Sequence, residues 1–238
     1  MNKFIAAAFG LVAFTSAAQA VEISGGSLDL SYSAFTDDTD VDKLNVAGSV
    51  ELAFTHAASA QLDLGRDAFG TSAADIMSLG LHGVSHLDQA TSLGAYYSRD
   101  TVDAGGARDS ANLYGVEAGH DTGPLQIEGY LGRAEASGAD GTMLGVSARY
   151  AMPSTIGVTG SIDYLDIQGL EVRTLKARLD GDVSENLNLY VEVGTGKVSA
   201  FGASASEPFV GIGGRITFGA ARGTTFERRS IGEMIPGL

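Results

Sequence analysis

The chain contains no cysteine. Disulfides, thiolate metal ligands and thiol nucleophiles are therefore excluded. Proline is scarce, with 4 in 238 residues, while glycine reaches 33. That balance suits strands and turns better than helices. No stretch after the first twenty residues is long and apolar enough for a helical membrane span, which needs about 20 apolar residues. Positive charge is also in short supply: 15 Lys and Arg stand against 29 Asp and Glu, a formal charge of −14. Nucleic-acid phosphates demand a basic surface, so that partner class is excluded. The mean hydropathy of +0.10 fits a soluble protein. It fits a membrane barrel equally, because half of each barrel strand is polar.

The first residues have a separate logic. Met1-Asn2-Lys3 is a short positive start, Phe4 to about Thr15 is apolar, and Ala18-Gln19-Ala20 is a small-x-small pattern. The three parts together read as a cleaved secretory signal over 1–20, with the mature chain beginning at Val21. The apolar run is too short for a spanning anchor.

From Val21 onward the dominant pattern is alternation. In Glu207–Phe218, Val210, Ile212, Gly214, Ile216 and Phe218 fall on one side of an extended chain, and Phe209, Gly211, Gly213, Arg215 and Thr217 on the other. This period of two marks a strand with one apolar and one polar or small face. The stretch 43–56 repeats it, with Leu44, Val46, Val50, Leu52 and Phe54 against Lys43, Asn45, Ser49 and Glu51. Similar segments recur at about 22–35, 59–66, 75–84, 91–100, 111–120, 125–134, 142–151, 156–165, 170–180 and 186–196, twelve in all. Because sequence boundaries shift by about 2–4 residues, ten to fourteen strands are compatible with the pattern. Connections near residues 57, 87, 122, 154 and 183 read as short. Those near 39, 70, 105, 138, 168 and 202 read as longer, including loops at 101–110 and 135–141. On the apolar faces, Phe54, Tyr150 and Phe218 sit near the short-turn ends, and Tyr32, Tyr97, Tyr114 and Tyr164 near the other ends. Two aromatic belts, strands of membrane-crossing length and connections that alternate in length describe an all-β, transmembrane, antiparallel up-and-down barrel over 21–219. A soluble β-sandwich is the competing architecture.

With these elements in place, the chain resembles Gram-negative porin-like outer-membrane proteins. The resemblance covers nearly all of residues 1–218. Gly213-x-x-Ile216-x-Phe218 is similar to the closing-strand signal of that class. It implies contact with the barrel-insertion machinery through Gly213, Ile216 and Phe218, and residence in the outer membrane among lipid and lipopolysaccharide. Here twenty residues follow Phe218. Assembly with further copies of the chain stays open.

The polar faces carry an ordered set of charges: Asp29, Asp63, Glu128 and Glu192 near mid-height, with Arg149, Lys176, Arg178 and Arg215 somewhat nearer the short turns. In an open barrel these line a water-filled lumen and set ion preference. In a filled one they are cross-strand ion pairs. Glu192 is expected to stand between Lys176 or Arg178 and Arg215. No cofactor or metal is called for. Asp38-x-Asp40-x-Asp42 lacks the Gly and Glu of an EF-hand and reads as a solvated acidic loop. The four histidines, His56, His82, His86 and His120, read as solvated, and no Gly-x-Ser-x-Gly elbow is present. The tail 220–238, with Arg222, Arg228 and Arg229 and apolar Phe226, Ile231, Met234, Ile235 and Leu238, is expected on the periplasmic side, as a short amphipathic helix that docks in the barrel mouth or binds a periplasmic partner, or as a disordered end. The sequence therefore points to a non-enzymatic, porin-like channel for passive diffusion of small hydrophilic solutes or ions. The alternative is a closed structural or surface-interaction barrel. A barrel lipid hydrolase is a third reading.

Overall fold

The computed structural model describes residues 21–70, 74–153, 155–200, 202–219 and 223–235. The signal over 1–20, the tail residue Arg222 and the terminal Leu238 lie outside them.

Twelve strands form in chain order: β1 (Glu22–Phe35), β2 (Asp42–Thr55), β3 (Ala58–Phe69), β4 (Ala74–His86), β5 (Thr91–Ala104), β6 (Ala107–Asp121), β7 (Leu125–Ala136), β8 (Ala139–Ala151), β9 (Ile156–Ile167), β10 (Leu170–Ser184), β11 (Leu187–Ala200) and β12 (Ala203–Gly219). Each pairs antiparallel with its sequence neighbours, and β12 pairs with β1 to close the barrel. At that seam Asp29 stands opposite Arg215, and Phe35 opposite Phe209. Closure removes the unpaired edges that an open sheet would leave. An even strand count brings both barrel termini to one end, together with the connections at 56–57, 87–90, 122–124 and 185–186.

The alternation is set the opposite way from that of a soluble core. Leu28, Leu64, Leu79, Val116, Leu131, Ile162 and Ile212 all point outward and are about half exposed or more. Gln61, Asp63, Asp67, His82 and Asp100 point inward and are fully buried. Leaving one Leu or Ile in water costs roughly 1.5–3 kcal/mol relative to burying it. An apolar face that surrounds the whole barrel therefore requires an apolar solvent, which the sandwich reading does not offer. Tyr32, Tyr97 and Tyr114 stand outward at the end away from the termini, and the Tyr32 and Tyr97 hydroxyls donate to Asp42 Oδ2 at 2.8 Å and Asn112 Oδ1 at 2.9 Å. Phe54, Tyr150 and Phe218 stand outward at the other end.

Among the described connections, the expected excess of length away from the termini is confined to 36–41. The stretches read as loops at 101–110 and 135–141 are strand continuations that turn in two residues each. Gly105 and Gly106 have φ of 59° and 87°, and Ser137 and Gly138 have φ of 50° and 81°, as tight hairpin turns with positive φ at both central positions require. Alternation fades there because both faces meet water, while the ladder hydrogen bonds persist: Asp103 still pairs with Arg108 across the hairpin. The strands are correspondingly long, from 12 residues in β3 to 17 in β12, beyond the roughly 9–11 that a tilted crossing needs.

Replacing Leu131 on the outer face of β7 by Arg is expected to cost about 2–4 kcal/mol of folding stability in lipid vesicles, as for a charge placed on the lipid face near mid-bilayer. Denaturant titration of the vesicle-folded protein reads this. An unchanged midpoint would mean that the face does not contact lipid.

Candidate functional site

The inner wall of the barrel is divided by charge. Around β3–β7 it is acidic, with Asp63, Asp67, Asp100, Glu117 and Glu128 on inward positions. Around β8–β12 and β1 the signs are mixed and paired across strands. Arg178 reaches Glu192 at 2.9 Å and lies over the Tyr190 ring at 3.9 Å. Arg215 pairs with Asp29 at 3.0 Å, and Tyr190 donates to the same carboxylate at 2.8 Å. Lys176 lies 3.7 Å from Asp163. Arg149 on β8 reaches Asp180 on β10 at 2.5 Å, spanning the intervening β9 where Gly157 has no side chain to block it.

These pairs differ from the expected set in one respect. Register places Gly211, not Arg215, opposite Glu192. Arg215 lies further toward the terminal end of β12, where Asp29 across the seam and Glu227 of the tail hold it.

The tail goes deeper than a helix docked at the barrel mouth: residues 223–235 enter at the terminal end and run inside the barrel toward the opposite end. Thr225 N–H donates to Glu51 Oε2 at 2.7 Å, near the entrance. Phe226 exchanges two hydrogen bonds with Gln61, donating its N–H at 3.1 Å and accepting at 2.8 Å. Its ring stacks at 6.5 Å on His82. Arg228 meets Asp67 at 3.3 Å, Ser78 and the tail's own Glu233. Arg229 meets Glu117 at 3.0 Å and Glu128. Ser230 Oγ donates to Asp100 Oδ2 at 3.0 Å, and Ile231 N–H donates to the same oxygen at 2.6 Å. A helix then forms, but it is only α1 (Ile231–Met234), capped by Ser230. Further along, Lys43 Nζ donates to the carbonyls of Gly232 and Ile235, both at 2.7 Å, and Thr174 Oγ1 to that of Met234 at 2.5 Å.

Two kinds of residue make room for the tail. Glycines thin the wall: a Cβ at Gly94 would come within 2.6 Å of the Phe226 ring, and one at Gly65 would collide with the Arg228 guanidinium. Small and apolar side chains collect Met234 near the far end, with Leu113, Ala134, Met143, Leu165 and Val172 in one buried cluster. Glu233, partly exposed, pairs with Arg228 of the tail, and its backbone carbonyl accepts from Lys176 Nζ at 3.4 Å.

His82 is not solvated. It is fully buried between Asp63 at 2.7 Å and Glu117 at 2.6 Å. Asp63 thus faces inward but is walled off from open space. At the entrance His86 accepts or donates with Ser92 at 2.9 Å and Ser59 at 3.2 Å, while Ser59 donates to Glu51 at 2.7 Å. Glu51 Oε1 lies 3.7 Å from His86 Nε2 with the Ser59 hydroxyl between them, so among the described residues no carboxylate hydrogen-bonds this ring directly, as a Ser-His-Asp relay has it.

The remaining space lies beside the tail. A cavity of about 180 Å³ is lined in part by Asp29, Lys176, Arg178, Glu192, Arg215 and Glu128. A wider one of about 640 Å³, at the terminal end, adds Arg149 and Asp180. Seven of the eight charges named from sequence therefore border space, and Asp63 does not. Asp67, Asp100, Glu117, Asp180 and Lys43 escaped that set, although they share its inward phase along their strands.

Gly94→Val is expected to displace Phe226 and loosen the tail. Trypsin added to the folded protein in detergent should then cut after Arg228 or Arg229 at least ten-fold faster than in wild type. Equal rates would mean that Phe226 does not anchor the segment.

No protein-family model and no curated protein sequence matches the chain. Solved structures do. A KdgM porin in complex with disordered oligogalacturonate is 13% identical, with a TM-score of 0.61 over 81% of this chain and 99% of that one. The NanC porin is 11% identical, with a TM-score of 0.59 over 79% and 98%. The COG4313 outer membrane channel from Pseudomonas putida F1 is 14% identical, with a TM-score of 0.53 over 84% and 97%. At such identities the likeness concerns architecture: this chain has the fold of a porin-like outer-membrane β-barrel.

Proposed function

We propose that the protein is an outer-membrane channel for passive passage of small hydrophilic solutes or ions, and that its own C-terminal segment narrows the path. The segment 1–20 would direct export, and the end carrying both barrel termini would face the periplasm. The observation that carries the reading is a closed barrel that is apolar outside and charged inside, with water-accommodating space along β8–β12 and β1. A volume of about 640 Å³ far exceeds the roughly 30 Å³ a water occupies in the liquid. Lumen charge would then set ion preference. The channel structures similar in fold support the same reading.

One observation favours the alternative of a closed barrel. The tail fills the acidic side of the lumen and buries Met234 among wall residues at the far end. The two readings separate in planar bilayers. Wild type is expected to show small unitary currents. Arg228→Glu/Arg229→Glu, which sets carboxylates against Asp67, Glu117 and Glu128, is expected to raise them several-fold by expelling the tail. Silence from both folded proteins would remove the channel reading and leave the closed barrel.

In the conducting protein, Lys176→Glu/Arg178→Glu/Arg215→Glu should move the reversal potential under a salt gradient toward cation preference. An unchanged reversal potential would take these three side chains out of the ion path.

A further inference from the structure

The acidic wall is built as a receptor, and the tail occupies it as a ligand would. Arg229 is 7% exposed and sits in a cage of two carboxylates and two aromatic rings. Glu117 and Glu128 take its N–H groups, the Tyr130 ring lies 4.3 Å from the guanidinium carbon, and the Tyr96 ring lies 5.9 Å away. The two rings meet edge to face at 6.4 Å and 86°. Carboxylates combined with π faces select guanidinium and ammonium groups and reject anions. The neighbouring Arg228 lies in a second acidic position formed by Asp67 and Ser78. Asn45 Nδ2 donates to Asp67 Oδ1 at 2.7 Å and holds that carboxylate in place. Gly65 leaves the guanidinium its space.

The fit of the tail is incomplete. Asp100 is wholly buried, yet its Oδ1 accepts no hydrogen bond, and Arg228 Nε donates none. The wall therefore has acceptor capacity that the tail leaves unused. The barrel's own histidine in this region, His82, is already committed to Asp63 and Glu117.

We propose that the inner wall of β3–β7 is a binding site for a solute carrying two neighbouring guanidinium or amine groups, and that Arg228 and Arg229 are a tethered stand-in for it. Such a solute competes with the tail for the same carboxylates. Its arrival frees the segment and widens the lumen. The role of the site in transport rests on the channel reading above, whereas binding itself does not.

The test uses the full chain in detergent micelles and isothermal titration with the amide of D-arginyl-D-arginine. Arg228→Ala/Arg229→Ala is expected to bind this probe at least ten-fold more tightly than wild type, because the internal competitor is gone. The amide of D-alanyl-D-alanine is expected not to bind. Adding Glu117→Gln/Glu128→Gln should abolish binding. Affinity no greater than that of wild type, or affinity indifferent to Glu117 and Glu128, overturns the proposal. Should the double variant fail to fold, wild type carries the same question. The dicationic probe, unlike the alanyl amide, should speed proteinase K cleavage of the tail in proportion to its concentration, and no acceleration overturns the proposal. Conductance of the same preparations keeps the two readings apart. Binding without currents removes the channel but not the site, and currents without binding remove the site but not the channel.

Discussion

Ionised carboxylates gathered inside a barrel must be met by cations, and this constraint organises the molecule. Removing one carboxylate from water costs several kcal/mol even after relaxation, and an unpaired one keeps that cost. On β3–β7 five acidic side chains share a wall with one histidine. The tail delivers Arg228 and Arg229 to that wall, together with the N–H groups of Thr225 and Ile231 to Glu51 and Asp100. The barrel and its last residues are therefore one electrostatic unit. The opposite wall meets the same constraint locally, by pairing Arg149, Arg178 and Arg215 with Asp180, Glu192 and Asp29 across strands.

That division gives the lumen two characters. The mixed wall needs nothing from the tail beyond contacts such as Glu227 with Arg215, and space remains beside it. The acidic wall is complete only when occupied. The steric fit obeys the same division: Gly65 and Gly94 sit where the tail presses against the wall, and bulky Met143 and Leu165 close around Met234. Glycines on inward positions look like ordinary strand thinning until the segment that touches them is in view.

Much of the fold was legible in sequence. Twelve strands, their inward and outward phases, and the outward placement of Tyr32, Tyr97, Phe54 and Phe218 all follow from period two, because neighbouring side chains on a strand must face opposite ways. Loop length was not legible. Stretches such as 101–110 lose alternation where both faces are wet, and that looks like a loop although the ladder continues. Pairing between interior charges was legible only in part. Arg178 with Glu192 could be inferred, but Arg215 chose Asp29 because a partner depends on register across two strands and on closure at the seam. His82 reads as solvated in sequence because its two carboxylates lie 19 and 35 positions away in the chain.

The tail marks the boundary between the two kinds of information. By itself the sequence determined that the chain is a strand-rich barrel with a charged interior, since local periodicity is imposed on each strand by its own residues. It also displayed two adjacent arginines and scattered apolar residues after the closing strand. Only the tertiary structure decided where they go. Asp67, Glu117 and Glu128 come from three separate strands, and barrel closure alone brings them within reach of Arg228 and Arg229. A cage assembled from distant strands has no local signature, so the segment that completes the interior reads, residue by residue, as a loose end.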